Sequence, residues 1–254
     1  MESVTTRNFA YNQLVMLCST SFKRCYEDID IGYIYNSITQ KEQFLDQDAT
    51  ALLKLIERRP KAIRCVLSEL DIAISSDSSD DEAFGKLELL RALESDGYVL
   101  IGDSELELNA KDPKFHYGVS NESTPTNSVK GYLPPASTAG GFAELFKDHP
   151  RILFFQLEVT SKCNEKCIHC YLPPDWFESS DLDTELGLKV LDELRDEGAL
   201  IICFSGGEAF LHKEFDKLLY RARENDLVIK INTNATHISD YYIEVLKEVQ
   251  PEQV

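Results

Sequence analysis

The chain has 254 residues, of which 43% are hydrophobic and 28% charged, a composition typical of one large or two modest globular domains and not of a fibrous or disordered protein. Its 44 acidic residues outnumber the 26 basic ones, giving a formal net charge of −18 at pH 7. This charge disfavours nucleic-acid phosphates and anionic membrane surfaces as partners. No apolar run approaches the length needed to span a bilayer, and the first residues lack a secretory pattern, so we expect a cytoplasmic protein without nucleic-acid or membrane partners.

Three short helices and two strands are predicted in residues 1–108. Residues 32–38 are β-branched and aromatic, which favours a strand. Asp46 has the side chain of a helix N-cap, Gly97 ends the third helical pattern, and residues 98–101 predict a second strand. The order is typical of a winged-helix-like α+β module. The apolar positions of the three helices are Ala49, Leu52, Leu53 and Ile56; Ile63, Val66, Leu67 and Leu70; and Phe84, Leu87, Leu90 and Leu93.

The second half of the chain alternates between strand and helix patterns. Residues 109–148 are rich in proline and glycine and poor in large apolar residues, which predicts a linker. The alternation over residues 149–254 predicts an α/β domain with a parallel sheet and helical crossovers. Its strands are predicted at 152–159, 200–204 and 228–231, and its helices at 185–197, 213–224 and 238–249.

Three of the seven cysteines, Cys163, Cys167 and Cys170, lie close together directly after the first strand of this domain. The carboxyl ends of such strands carry the chemistry of α/β folds, and clustered thiols in a reducing compartment indicate a metal. Soft thiolates suit zinc or an iron–sulfur cluster. Zinc needs a fourth ligand, but His169 lies awkwardly between two of the cysteines and Cys203 lies in an apolar strand. A four-iron cluster held by three cysteines leaves one iron open, so the spacing favours the cluster while zinc stays an alternative.

Three motifs at three consecutive strand ends together resemble those of the radical S-adenosylmethionine (SAM) enzymes. The CxxxCxxC pattern looks like the cluster loop of that family, and residues 157–160 with Asn164 resemble the lead-in of its peptide-modifying branch. The residues Gly206, Gly207 and Glu208, which follow the second strand, resemble the glycine-glycine-glutamate motif of the family. The motif residues are Cys163, Cys167, Cys170 and Tyr171; Gly206, Gly207 and Glu208; and Thr233 and Asn234.

The resemblance implies a 4Fe–4S cluster on the three cysteines, with SAM bound to its open iron and cleaved by an electron from a donor such as a flavodoxin or ferredoxin. It implies that Gly206 and Gly207 let the backbone approach SAM, and that Glu208 accepts a hydrogen bond from the ammonium group of SAM. Tyr171 is expected to pack near the adenine. The residues expected to contact SAM are Tyr171, Gly206, Gly207, Glu208, Thr233 and Asn234.

The sequence departs from the family pattern in two residues and in length. Ala209 follows Glu208 where proline is common, and Ala235 follows Asn234 where glycine is common. Residues 151–254 suffice for about three β/α units of about 30 residues each, whereas the family core has six. We therefore expect the first half of a partial (β/α)6 barrel, in a truncated chain, a gene fragment or a split protein, without peptide-modifying activity of its own.

The front module has two interpretations. A basic cluster at residues 58–64 indicates DNA binding, but the third helix carries more acidic than basic residues, unlike a recognition helix. A winged-helix module ahead of a radical enzyme instead resembles the precursor-recognition domain of ribosomal-peptide maturases and the small chaperone of pyrroloquinoline quinone biosynthesis. Such domains add a leader peptide as a strand to a sheet edge. Cys18, Cys25 and Cys65 are interpreted as plain thiols or core residues.

The leading hypothesis is a radical SAM maturase that modifies a ribosomally synthesised precursor peptide. The same chemistry on a sulfatase or a cofactor precursor is the first alternative. A truncated, non-catalytic leader-peptide-binding protein is the second. A winged-helix regulator with a redox-sensing cluster is disfavoured by the acidic charge.

Overall fold

A computed structural model describes residues 10–74, 81–113, 130–132, 146–168, 170 and 180–254. The chain divides into two compact units, Met1–Glu144 and Leu145–Val254. Within the described ranges, no helix combines the length and the apolar character needed to cross a membrane.

The first unit contains two antiparallel sheets with the strand orders β5-β1-β6 and β2-β3-β4. Its core is a continuous apolar cluster to which both sheets and the first three helices contribute. The strands are β1 (Leu14–Leu17), β2 (Ser21–Tyr26), β3 (Ile31–Asn36), β4 (Glu42–Leu45), β5 (Lys61–Ala62) and β6 (Val99–Gly102). The helices are α1 (Gln47–Lys54), α2 (Ile63–Glu69), α3 (Asp81–Ser95) and α4 (Glu105–Lys111).

The three predicted helices of this unit form, and their ends have the predicted causes. The side chain of Asp46 accepts a hydrogen bond from the Ala49 amide over 2.9 Å and caps α1. Gly97 follows α3 with φ +81°, a conformation that favours glycine at a helix C-terminus. The predicted strand at 32–38 is β3, and the one at 98–101 is β6.

Strands β1, β2, β4 and β5 and helix α4 were not predicted from the sequence. The strand β2 contains Lys23 and Arg24 and has no clean apolar alternation. It forms because all six of its residues pair with β3, and β3 in turn pairs with β4. A three-stranded meander therefore precedes α1, where only one strand was predicted. The assignment of the module as a winged helix stays a prediction.

The second unit has the predicted order of strands and helices and a parallel sheet with the order β7-β8-β9. Each element lies within a few residues of its predicted position, and β9 coincides with it. The elements are β7 (Phe154–Thr160), α5 (Thr184–Asp196), β8 (Ile201–Gly206), α6 (Phe215–Glu224), β9 (Val228–Ile231) and α7 (Asp240–Val249).

The central strand β8 and the helix α6 form the middle of the second core. Phe204 and Phe215 are fully buried and meet edge to face, with ring centroids 5.3 Å apart. Cys203 is buried in the same strand, as its apolar context predicts, and burial raises the pKa of its thiol. This packing holds the carboxyl ends of the three strands at one edge of the sheet.

Candidate active site at the strand ends

The three motifs follow the carboxyl ends of β7, β8 and β9. The cysteine loop follows β7, the glycine-glycine-glutamate residues come at the end of β8, and Thr233 and Asn234 follow β9. Because the strands are parallel, these ends lie at the same edge of the sheet, where α/β folds bind their ligands.

The cysteine loop presents three free thiols. Cys163 is half-buried and accepts a weak hydrogen bond from the Glu165 amide, while Cys167 and Cys170 are exposed and are joined by a backbone hydrogen bond of 3.1 Å. Among the described residues, no three Cys, His, Asp or Glu side chains are gathered into a metal site. The thiols therefore share one loop without forming a preassembled ligand set. Their donor chemistry, soft and accessible, fits an iron–sulfur cluster.

His169 and Tyr171 fall outside the described residues, so the predictions made for these two side chains have no structural counterpart here.

The two glycines let the end of β8 lie against the start of the cysteine loop. The Gly207 amide donates to the Thr160 carbonyl over 2.8 Å, and the Glu208 amide donates to the Lys162 carbonyl over 2.7 Å. A Cβ on Gly206 would overlap the Thr160 carbonyl, and one on Gly207 would overlap the Lys162 carbonyl. Gly206 also has φ +125°, which an L side chain rarely adopts. The close approach that the two glycines allow in this structure is therefore between two segments of the chain, the end of β8 and residues 160–162.

Glu208 is completely buried and ties the end of β8 to the end of β9. Its Oε1 accepts from the Thr233 hydroxyl over 2.7 Å, and its Oε2 accepts from the Asn234 amide over 2.8 Å. The Phe210 amide donates a third hydrogen bond, over 3.2 Å. The carboxylate, predicted to meet the ammonium group of SAM, thus already has three donors from this chain, and the SAM contact stays a prediction.

Asn164 of the cysteine loop joins the same network. It accepts from the Asn234 side-chain amide over 3.0 Å and donates to the Thr236 hydroxyl over 2.7 Å. Thr236 in turn donates to the side-chain oxygen of Asn234 over 2.6 Å. Hydrogen bonds therefore run from the cysteine loop through the loop after β9 to Glu208. Thr236 was not predicted as a site residue, because a single threonine in a loop belongs to no recognisable sequence pattern.

The two departures from the family pattern have different structural consequences. Ala235 has φ +60°, a left-handed conformation in which a Cβ costs roughly 1–2 kcal/mol and which glycine adopts freely. This is the position at which the family commonly has glycine. Ala209 begins the 3-10 turn Ala209–Leu211, and the first position of a helical turn tolerates proline as well as alanine.

An ion pair fixes the base of the cysteine loop. Lys162 donates to Asp181 over 2.7 Å, and the Thr160 hydroxyl donates to the other oxygen of the same carboxylate over 2.7 Å. Partial burial of Asp181 alone would raise its pKa, but these two hydrogen bonds and the charge of Lys162 outweigh burial and lower it. Asp181 was not predicted as a site residue, because about 20 residues separate it along the chain from Lys162 and Thr160.

Residues 157–254 match the sequence model of the radical SAM superfamily. Residues 157–254 of the second unit are therefore similar to radical SAM domains, and members of that superfamily use a 4Fe–4S cluster and SAM. This match includes all the motif residues, from Cys163 to Asn234, and no residue of the first unit.

Several curated proteins are similar over part of the chain. Fe-coproporphyrin III synthase of Methanosarcina barkeri is 30% identical over 153 residues, which are 59% of this chain and 34% of that protein. The antilisterial bacteriocin subtilosin biosynthesis protein AlbA of Bacillus subtilis is 31% identical over 100 residues, 39% of this chain and 22% of that protein. PqqA peptide cyclase of Granulibacter bethesdensis is 31% identical over 90 residues, 35% and 24% of the two chains. The chain thus spans about a third or less of the length of these relatives.

Among solved structures, Streptococcus suis SuiB bound to its precursor peptide SuiA superposes with a TM-score of 0.47 and 20% identity, over 91% of this chain and 45% of that one. SuiB bound to S-adenosylmethionine gives the same TM-score with 19% identity and the same coverage. Likeness at this level assigns neither ligand nor partner to this chain.

We expect Gly207→Ala to destabilise the second unit by about 1–3 kcal/mol. The added methyl group would overlap backbone atoms of Ser161 and Lys162, so the two backbone segments would have to move apart. Amide hydrogen exchange of β8 measures the effect. Gly85→Ala is the matched control, because its Cβ would meet no heavy atom within 4 Å in α3. Unchanged protection of β8 in Gly207→Ala contradicts this account of the motif.

Asp181→Asn is expected to lower the free energy of unfolding of the second unit at pH 7 by about 1 kcal/mol, since Lys162 is partly exposed and solvent screens the pair. The pKa of Asp181 is lower in the folded chain than in the unfolded chain. The ionised carboxylate therefore stabilises the fold fully at pH values above the unfolded-state pKa, and this stabilisation is lost as the pH falls through the folded-state pKa. The difference between variant and wild type should therefore vanish in acid.

Hydrogen exchange of β7 at pH 7, and urea unfolding from pH 7 to pH 3, measure this effect. Glu197→Gln, at the exposed end of α5, serves as the control and should change stability little. A difference that persists undiminished at pH 3 would assign the effect of Asp181→Asn to packing instead of charge.

Proposed function

We propose that this chain is part of a radical SAM maturase that binds a 4Fe–4S cluster through Cys163, Cys167 and Cys170 and acts on a ribosomally synthesised precursor peptide. The observation that carries the proposal is the hydrogen-bonded junction of three strand ends within a segment that matches the radical SAM superfamily. When bound, the cluster and SAM supply a reductively generated radical able to abstract hydrogen.

The residues of this chain would hold and position that cofactor pair. The free thiols would ligate the cluster, and Asn164 would hold the loop that carries them against the end of β9. Glu208 would keep Thr233 and Asn234 in place beside the loop through its buried carboxylate. Gly206 and Gly207 would keep the end of β8 free of side chains at the junction, and Tyr171 is assigned to the adenine by resemblance alone.

The peptide substrate is supported by two further observations. The relatives include a bacteriocin biosynthesis protein and a peptide cyclase. The first unit also presents the β2-β3-β4 sheet, whose edge strand β4 suits recognition of an extended peptide. We propose residues 1–108 as the recognition module, 109–148 as a linker and 149–254 as the first half of the radical SAM core, with a flavodoxin or ferredoxin as electron donor.

A second candidate substrate is a cofactor precursor. The similarity to Fe-coproporphyrin III synthase extends over 153 residues, more than the length matched by the radical SAM model, and favours this alternative. The two candidates share the cluster and SAM and differ in what the rest of the protein must recognise.

Anaerobic reconstitution of the full chain is expected to give one 4Fe–4S cluster, which binds SAM. Changing Cys163, Cys167 and Cys170 together to alanine should abolish it, since no ligand would remain on the loop. Iron and sulfide analysis with visible absorption measures the outcome. Cys65→Ala, which removes an exposed thiol of the first unit, is the control and should retain the cluster. One tetrahedral zinc without iron, or a cluster that survives the triple change, contradicts the assignment.

The full chain should also bind a precursor peptide encoded beside its gene more tightly than duplex DNA. Fluorescence anisotropy with labelled peptide and labelled DNA, at two salt concentrations, measures both. We expect DNA binding to be negligible because of the net charge of −18. Salt-sensitive DNA binding without peptide affinity would reverse the ranking, and binding of a porphyrin without peptide affinity would favour the second candidate.

A further inference from the structure

The edge of β4 is paired with a short segment of the same chain, residues 130–132. Tyr132 pairs in antiparallel fashion with Leu45, and the Asp46 amide donates to the Gly131 carbonyl over 3.0 Å. Backbone pairing of this kind is how sheet edges bind extended peptides. The segment therefore occupies in cis the place that an added peptide strand would take.

The contacts of Gly131 define a position for a small residue. Its backbone has φ +98°, and a Cβ built on it would lie 3.0 Å from the Cβ of Ala49 in α1 and 3.5 Å from the Cδ2 of Leu89 in α3. A larger side chain at this position would meet both helices. The groove bounded by β4, α1 and α3, which we call the β4 groove, thus selects glycine here.

The contacts of Tyr132 define a neighbouring position for a hydroxyl-bearing aromatic residue. Its hydroxyl donates to Oδ2 of Asp96 over 3.0 Å, and Lys41 binds Oδ1 of the same carboxylate over 3.2 Å. Asp96 is only 8% exposed, so loss of a donor would leave a buried carboxylate oxygen poorly satisfied. The tyrosine ring packs against the core of the first unit. Tyrosine is therefore favoured over phenylalanine.

The charge beside Gly131 favours a basic residue before the glycine. A small cavity there is lined by the acidic side chains of Asp46, Asp48 and Glu82, together with Lys86 and Lys130. Lys130 is the residue that precedes the glycine in the chain's own segment.

We propose that the β4 groove binds an extended peptide with the pattern basic residue, glycine, tyrosine, and that residues 130–132 occupy the groove in cis and compete with that peptide. This inference rests on the proposed peptide-binding function and adds to it the recognition pattern and the competitor. A tethered segment acts at a high effective concentration. The apparent affinity for a free peptide is then the intrinsic affinity multiplied by the fraction of time that the groove is free.

The probe is a labelled synthetic peptide with the sequence of residues 127–136, titrated into the full chain. Gly131→Val in the chain should expel the tethered segment, and the peptide should then bind at least about tenfold more tightly than to the wild type. Tyr132→Phe in the chain is a milder change, which removes only the hydroxyl, and should raise the affinity by roughly threefold. Cys65→Ala, which removes an exposed thiol from α2 away from the groove, is the control and should behave like the wild type.

A second readout follows the groove directly. Hydrogen exchange of the Asp46 amide should be faster in Gly131→Val and should slow again when the peptide is added, because this amide donates to the Gly131 carbonyl. A peptide carrying Tyr132→Phe should restore less protection. Equal peptide affinity for all four chains, or binding to none of them, overturns the proposal.

These measurements involve neither the cluster nor a precursor peptide. A failure of the in-cis competition therefore leaves the proposed maturase function untouched. Conversely, a precursor peptide that does not bind any of the chains contradicts the proposed function without affecting the result obtained with the chain's own segment.

Discussion

The buried carboxylate of Glu208 joins the ends of β8 and β9, and the arrangement of the candidate site depends on it. Burying a carboxylate is costly unless hydrogen bonds replace its water, and here Thr233, Asn234 and Phe210 supply three. Oε1 accepts two of these hydrogen bonds, and Oε2 accepts one, from the Asn234 amide. The carboxylate is therefore a strong constraint on the loop after β9.

The glycines before Glu208 extend this constraint to the cysteine loop. They allow two backbone hydrogen bonds to Thr160 and Lys162, and Asn164 then closes the link between the cysteine loop and Asn234. The junction is held mostly by backbone groups and by short polar side chains, which lose less rotamer freedom than long ones. On that loop the Cys167 and Cys170 thiols are exposed and the Cys163 thiol is half-buried.

The feature of interest in the first unit is the edge strand β4 of the β2-β3-β4 sheet. An unpaired edge invites association, and proteins commonly cover such edges. Here residues 130–132 cover part of β4 with backbone hydrogen bonds and one tyrosine. This covered edge is the basis of the competition that we propose between the segment and a free peptide.

Local patterns predicted much of this protein. The helices α1, α2 and α3 and the six elements of the second unit follow from apolar periodicity, from the Asp46 cap and from Gly97, because these signals depend on neighbouring residues only. The motifs likewise predicted which strand ends carry the candidate site. Strands β2 and β4 were missed because their stability comes from pairing with β3, which no local pattern encodes.

The amino-acid sequence by itself determined the motif residues, the alternation of strands and helices, and the acidic charge that disfavours nucleic acid. Only the tertiary structure decided that Glu208 binds Thr233 and Asn234, that Asp181 meets Lys162, and that residues 130–132 pair with β4. The reason is physical: each of these contacts joins residues far apart along the chain, so their partners are chosen by the packing of the strands and helices that carry them and not by the spacing of residues in the sequence.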